Sequence, residues 1–378
     1  MFLPRRKLLK FGLCSLGMLS ANILGANLKS SAQPNSLPRT PKQDGFYFPA
    51  EWHPHEYTIM QFVPRQNWAG YGIRQARKDW ATVANTLSEF EPVLMVVDRQ
   101  DYTIAKKLLS SEIELVEFPL NDGWARDSGP SFVVNGKGDR RVTGFTFNGW
   151  GAKFPPYDDD VKLRSRLCEY LQIPFYEADL VLEGGAVTLD GEGTLITTEE
   201  CLLNPNRNPD KSKSQVEQIL QESFNVSKVI WLSKGTTPDP ITDGHVDGIC
   251  VFVAPGKVML QTTDDLNDPN YEICQDAKEK LLAASDSKGR KLEIIELPLA
   301  YDVAHINFYI ANGCVLVPIA NDPAQDDAPL SIIRNIFSGP RSGSLRDREV
   351  IGISGEILAQ GGGGIHCITQ QVPAVVFN

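Results

Sequence analysis

Positive charge is in short supply in this sequence. The 378 residues include 37 Lys and Arg against 47 Asp and Glu, a formal net charge of −10 at pH 7. A surface of that sign repels nucleic acid and anionic membrane, and its field favours a cationic ligand. Closely spaced cysteines are missing too. None of the seven stands in a C-x-x-C pair, which removes the usual spacing of a structural zinc site. No apolar run after the first 30 residues is long enough to span a bilayer. What remains, 42% hydrophobic and 22% charged residues, is the composition of an ordinary globule of one large or two average domains.

The N-terminus departs from that pattern. Arg5, Arg6, Lys7 and Lys10 precede a weakly apolar stretch from Phe11 to Ala26, and Ser30-Ser31-Ala32 supplies small residues for cleavage. This is the layout of an export signal over residues 1–32. The arginine pair followed by Leu-Leu-Lys resembles the twin-arginine type, which sends a protein to the periplasm or the exterior. The segment holds five basic residues and no acid, so its removal takes the chain from −10 to −15. No stable membrane insertion is expected afterwards. Residues 33–45, rich in Pro, Ser, Asn and Lys, read as a flexible lead-in, and residues 46–378 as a single catalytic domain. Of the six cysteines left, Cys250 and Cys314 lie in apolar, strand-like runs and read as small core residues.

A pattern recurs along the rest of the chain. Residues 181–198 read as a hairpin about Asp190-Gly191, followed by a helix near 213–223 and a strand at 229–232. The same order returns as the hairpin 249–262, helix 272–284 and strand 292–297. It returns again as 308–320, 327–337 and 349–353. An earlier copy runs from 131 to 171, and a degenerate first copy has the helix 73–90 and the strand 93–97. A hairpin–helix–strand unit repeated about every 60 residues implies a closed or stacked array. Neither end looks like a polar cap, so the expectation is a closed, five-fold pseudo-symmetric α/β propeller. Equivalent ends of the units then meet on the axis, and residues distant in sequence share one pocket.

The chemistry-bearing residues sit among glycines. Asp127 lies in WARDSGP, Glu183 in LEGG, His245 and Asp247 in GHVDG, and Cys367 in GGGGIHC. One thiol, one imidazole and three acids suit covalent catalysis on a planar cation. Asp127 and Asp247 can grip a guanidinium from both sides. The bound cation lowers the thiol pKa, and the Cys367 thiolate attacks the central carbon. His245 protonates departing ammonia and then activates water, with Glu183 orienting it. Trp124 walls the pocket. His366 adjoins Cys367 but points the opposite way in an extended segment, so it reads as structural. A metal could use His245 with Asp247, but no third soft ligand is evident, so no metal is expected.

These segments together resemble the agmatine deiminases, within the wider group of bacterial peptidyl-arginine deiminase-like proteins. The likeness covers residues 46–375. It is carried by PAEWHPHE (49–56), NDGWARDSGPSFVVN (121–135), FNGWGAK (147–153), the long stretch 182–209, GHVDG (244–248), FYIANG (308–313) and GGGGIHCITQQVPA (361–374). The resemblance implies the five-fold propeller of the guanidino-group modifying enzymes. It also implies hydrolysis of agmatine to N-carbamoylputrescine and ammonia on the polyamine route, with no cofactor. By motif it assigns the nucleophile to Cys367, the acid/base to His245, the guanidinium-binding acids to Asp127 and Asp247, and a supporting role to Glu183. Many members have an acid four positions before the GHVD histidine. Here Ile241 stands there, with Asp239 and Asp243 close by. The expected partner is a small cationic guanidine, with a homodimer as the expected assembly. Two alternatives stay open: a deiminase of peptidyl or free arginine, where the carboxylate of free arginine would need Arg65 or Arg207, and a non-catalytic guanidine- or polyamine-binding protein.

Overall fold

In a computed structural model, residues 36–37, 39–64, 72–338 and 347–376 are described. The export signal at 1–32 and Arg65 lie outside them.

The strands among the described residues form five small sheets in a mixed α/β architecture. Four sheets repeat one local plan: an antiparallel hairpin, a helix, then a third strand parallel to the second. In the first, Ser131–Val134 pairs with Arg140–Thr146, and Phe175–Val181 returns after the helix Asp158–Tyr170. In the second, Val187–Leu189 and Thr194–Thr198 precede the helix Lys213–Phe224 and the strand Lys228–Leu232. The third holds Cys250–Ala254, Lys257–Thr262, the helix Tyr271–Ala283 and Glu293–Pro298. The fourth holds Tyr309–Ile310, Cys314–Ile319, the helix Pro323–Phe337 and Glu349–Ser354. Its hairpin turns at Asn312-Gly313, where Gly313 has φ +79°, a left-handed conformation that costs glycine little.

The fifth sheet is assembled from both ends of the chain. The C-terminal strand Thr369–Pro373 pairs antiparallel with His55–Gln61. The helix Ile73–Leu87 and the parallel strands Val93–Val97 and Glu114–Glu117 complete it. The unit that seemed degenerate in sequence is therefore whole, with its first strand supplied from the far end. A second correction concerns residues 181–186. The strand Phe175–Val181 closes the first unit, and the next hairpin begins only at Val187, so Glu183 lies in the connection between them.

Within the expected lead-in 33–45, the described residues 36–37 and 39–45 are ordered into elements. Ser36–Leu37 pairs with Phe175 and Tyr176, and Pro41–Asp44 forms a capped helical turn. The Thr40 side chain accepts from the Gln43 amide, the Gln43 side chain accepts from the Thr40 amide, and Pro41 stands at the first helical position. These are strong helix-start signals, and they override the disorder-prone composition.

Each helix lays one apolar face on its sheet. Trp80, Val83, Ala84 and Leu87 pack with Met95 and Val97. Leu163 and Leu167 pack with Phe175, and Ile333 and Phe337 with Val315 and Val317. Side chains of this size contribute about 1.5–3 kcal/mol each when fully buried. The cores thus hold the starts of the strands rigidly, and those starts position the site. The six described cysteines are all buried and free, Cys250 and Cys314 among the strands as expected.

Candidate active site

Each unit begins with a short turn just before its first strand, and the turn carries one polar side chain inward. Asp127 lies in the helical turn Ala125–Ser128 ahead of Ser131. Glu183 precedes the turn Gly184–Ala186 ahead of Val187. Asp247 lies in Val246–Gly248 ahead of Cys250. Asn307 stands two residues before Tyr309, and Cys367 lies in His366–Ile368 ahead of Thr369. All five side chains are buried.

Their geometry is tight. The Cys367 thiol donates to Asn307 Oδ1 at 3.3 Å and lies 3.8 Å from Asp247 Oδ2. Asn307 Oδ1 also accepts from the Cys367 amide, at 3.3 Å. Asp127 accepts from Trp150 Nε1 at 2.9 Å on one oxygen and from the Gly185 amide at 3.0 Å on the other. His245 Nδ1 lies 3.9 Å from Asp127 Oδ1, and its Nε2 lies 3.6 Å from Glu183 Oε2. The other Glu183 oxygen accepts from Arg207 Nε at 2.7 Å. A Cβ placed on Gly185 would meet His245 Nδ1 at 2.6 Å, Asp247 Oδ2 at 2.9 Å and Asp127 Oδ1 at 3.1 Å. That point is where three functional groups converge, and only a glycine leaves it open.

The five residues singled out in the sequence, Cys367, His245, Asp127, Asp247 and Glu183, are thus brought into one cluster. Two of them, Cys367 and Asp127, face a cavity of about 310 Å³ lined also by Trp124, Asp122, Trp150, Phe154, Ile241 and Gly362. The Trp124 ring stands edge-on to Trp80 at 5.7 Å. A Cβ on Gly363 would lie 2.4 Å from that ring, so the glycine run lets the cysteine loop pass against it.

Four residues escaped the functional reading of the sequence. Asn307 carries no local signal beyond its place before a strand. Trp150 was visible only as an aromatic in FNGWGAK, yet its indole N–H fixes Asp127. His366 is a correction: it does not point away. Residues 366–368 form a helical turn rather than an extended strand. His366 Nδ1 therefore reaches Asp247 Oδ2 at 2.8 Å while Nε2 meets Glu51 Oε2 at 2.8 Å. A fourth, Cys201, lies with Glu183 and His245 so that one ligand atom of each falls within 4.8 Å of the others. That group puts a soft ligand beside His245, but with Glu183 in the place of the Asp247 expected from the sequence.

Electrostatics follow from burial among carboxylates. Burial lifts the Cys367 thiol well above its ordinary range, and Asp247 and Asp127 push the same way. Burial opposes charge on His245, yet Asp127, Cys201 and Glu183 hold its pKa well above the usual imidazole value. Asp127 is raised, first by burial, then by Asp247 and Glu183. Asp247 is held low against burial by His366, and Glu183 by His245 and Arg207. Without substrate, then, the cluster favours a thiol and an imidazolium.

At the outer end, Asp239 is spent capping its own turn, accepting from the amides of Ile241, Thr242 and Gly244. Asp243 is held by Lys153, Asn206 and Arg207. Lys153, the cation among the described residues lining the cavity, donates to Pro240 O, Ile241 O and Asp243. Arg207 is buried against Glu183 and Asp243.

The chain belongs to the Porphyromonas-type peptidyl-arginine deiminase family, whose profile it matches over residues 47–373. It is 39% identical to the agmatine deiminase of Stutzerimonas stutzeri, over 90% of this chain and 98% of that one. Its structure superposes on the agmatine deiminase of Enterococcus faecalis with a TM-score of 0.83 at 36% identity, covering 89% of this chain and 98% of the other. A C. jejuni agmatine deiminase with a cysteine-to-serine substitution, solved with substrate bound, gives a TM-score of 0.76 at 27% identity, over 88% and 97% of the two chains.

Proposed function

We propose that this protein is an agmatine deiminase, hydrolysing agmatine to N-carbamoylputrescine and ammonia. The observation that carries this is the convergence of Cys367, His245, Asp127 and Asp247 at one buried point beside a cavity walled by Trp124 and Trp150. The guanidinium lies between Asp127 and Asp247, whose remaining lone pairs accept its N–H groups. Its positive charge offsets the burial and the carboxylate field that keep the thiol protonated, and Cys367 gives up its proton to solvent. The thiolate then bonds to the central guanidinium carbon. The C–N bond to one terminal nitrogen breaks as His245 protonates that nitrogen, and ammonia leaves a thiouronium on Cys367. His245 next takes a proton from water, whose oxygen bonds to the same carbon. The C–S bond breaks as the new hydroxyl gives its proton to solvent and becomes the carbonyl; N-carbamoylputrescine departs and the thiolate returns. Glu183, anchored by Arg207, faces His245 from behind.

The outer end favours agmatine over arginine. Lys153 has its donors committed and Arg207 is occupied, so an α-carboxylate finds no available cation among the described residues lining the cavity. Side-by-side assays of ammonia release from agmatine, free arginine and an arginyl peptide test this. Agmatine should lead by a wide margin, and equal or better use of arginine would overturn the substrate while leaving the chemistry.

The same reading includes closure of the five sheets into a propeller. It is supported by the pairing of the two chain ends, by contacts of strand 369–373 with 131–134 and of 187–189 with 250–254, and by the common meeting point of five pre-strand turns. Export by a twin-arginine route is supported by Arg5-Arg6 and the small-residue stretch 30–32.

A further inference from the structure

His245 has two faces. Nδ1 looks toward the point that Gly185 leaves open. Nε2 looks the other way, into a closed corner shared with Glu183 Oε2 and the Cys201 thiol, three groups whose ligand atoms lie within 4.8 Å of one another. Glu183 and Cys201 are 0% exposed and His245 is 4% exposed. Two of the atoms facing that corner, Glu183 Oε2 and His245 Nε2, meet only as an ion pair at 3.6 Å, beyond hydrogen-bond distance. Buried polar atoms of this kind are costly and normally satisfied.

Both groups are also braced from behind. Arg207 holds the far oxygen of Glu183 at 2.7 Å, and Asp127 stands 3.9 Å from the far nitrogen of His245. One thiol, one imidazole nitrogen and one carboxylate oxygen form a tetrahedral-metal donor set. Outer partners that fix ligand orientation are the usual companions of such a set. Tetrahedral bonds of about 2.0–2.3 Å place ligand atoms roughly 3.5 Å apart, and the Nε2–Oε2 separation is already 3.6 Å.

We propose that Glu183, Cys201 and His245 form a binding site for a thiophilic divalent cation of the zinc class, and that its occupancy switches turnover off. On binding, Cys201 and His245 Nε2 each release a proton to solvent, and the cation takes their place. His245 then keeps a single N–H, on Nδ1. A metal-bound imidazole gives up that proton far less readily than an imidazolium does, so ammonia cannot be protonated as it leaves. The site is inhibitory, not a cofactor site. Only the inhibition rests on the acid/base reading of His245; the binding does not.

The test separates the two. Cobalt(II) is titrated into the full-length Cys367→Ala protein, which lacks the rival thiol. One equivalent should produce a thiolate-to-cobalt charge-transfer band in the near ultraviolet, absent in Cys201→Ala/Cys367→Ala. No band in Cys367→Ala, or a band surviving in the double variant, would overturn the site. In parallel, zinc in a metal-buffered assay should inhibit the wild type reversibly, with recovery on chelation. Cys201→Ala should turn over and tolerate at least roughly tenfold more free zinc, the smallest shift expected from damage to such a site. Unchanged zinc sensitivity would overturn the inhibition. Cys201→Ser, closer in size, replaces the alanine variant if the latter folds poorly. A wild type inactive on every guanidine would sink the proposed function and leave the cobalt result standing.

Discussion

His366 Nδ1 contacts Asp247 Oδ2 at 2.8 Å, the same oxygen that lies 3.8 Å from the thiol of the next residue, Cys367. The other His366 nitrogen meets Glu51 at 2.8 Å, and Arg126 lies 3.5 Å from that carboxylate. One imidazole thus sets the orientation of an acid proposed to bind substrate.

This buried chain has a pH signature. Burial opposes charge on Glu51, but His366 and Arg126 bring its pKa from an ordinary 4.5 to about 2. A depressed acid contributes stability above about pH 4.5 and loses it as the pH falls toward 2. His366 is raised above 6.5 against burial and Arg126, by Glu51 and Asp247. It contributes fully below about pH 6.5 and loses its contribution as the pH rises through the raised value. Glu51→Gln should cost about 3 kcal/mol at neutral pH by leaving a buried charge unpaired, and should flatten the acid limb. Urea midpoints from pH 2 to 9 for the wild type, Glu51→Gln and His366→Asn read this out; parallel curves for wild type and Glu51→Gln would refute it.

Gly185→Ala isolates the meeting point. The glycine has no positive φ, so the backbone accepts alanine, but the new methyl falls 2.6 Å from His245 Nδ1. Turnover should drop by about two orders of magnitude or more, since displacements near 1 Å cost that much. The melting temperature should move by only a few degrees. Near-normal kcat/KM would mean the guanidinium binds elsewhere.

Asp127→Asn and Asp247→Asn keep size and remove charge. Each should cost about 2–3 kcal/mol of transition-state stabilisation, or roughly a hundredfold in kcat/KM. Asp247→Asn should cost more, because His366 loses one of its two acid partners as well. Steady-state kinetics on agmatine check the order.

Cys367→Ser should abolish turnover and leave the fold intact, because serine offers no accessible anion at neutral pH. Intact-protein mass spectrometry of the wild type quenched during turnover should show an adduct on Cys367. An active serine variant removes the nucleophile assignment.

Export is tested by fractionation. Arg5→Lys with Arg6→Lys should hold the protein in the cytoplasm if the twin-arginine route is used. Unchanged export would point to the general secretory route.

The repeat, its helices and the motif residues were legible in the sequence because they depend on local burial patterns and turn chemistry. Helix 213–224, strand 228–232 and the Asn312-Gly313 turn each follow from a few neighbouring residues. What tertiary structure alone decided are encounters between distant segments. Strand 369–373 completes a sheet begun at His55, which no local period can register. Asn307 meets Cys367, and Cys201 meets His245, only because separate units bring their ends together. His366 faces Asp247 because one helical turn replaces an extended segment. Periodicity records which face of an element is buried; which side chains then share a pocket depends on how the elements assemble in space.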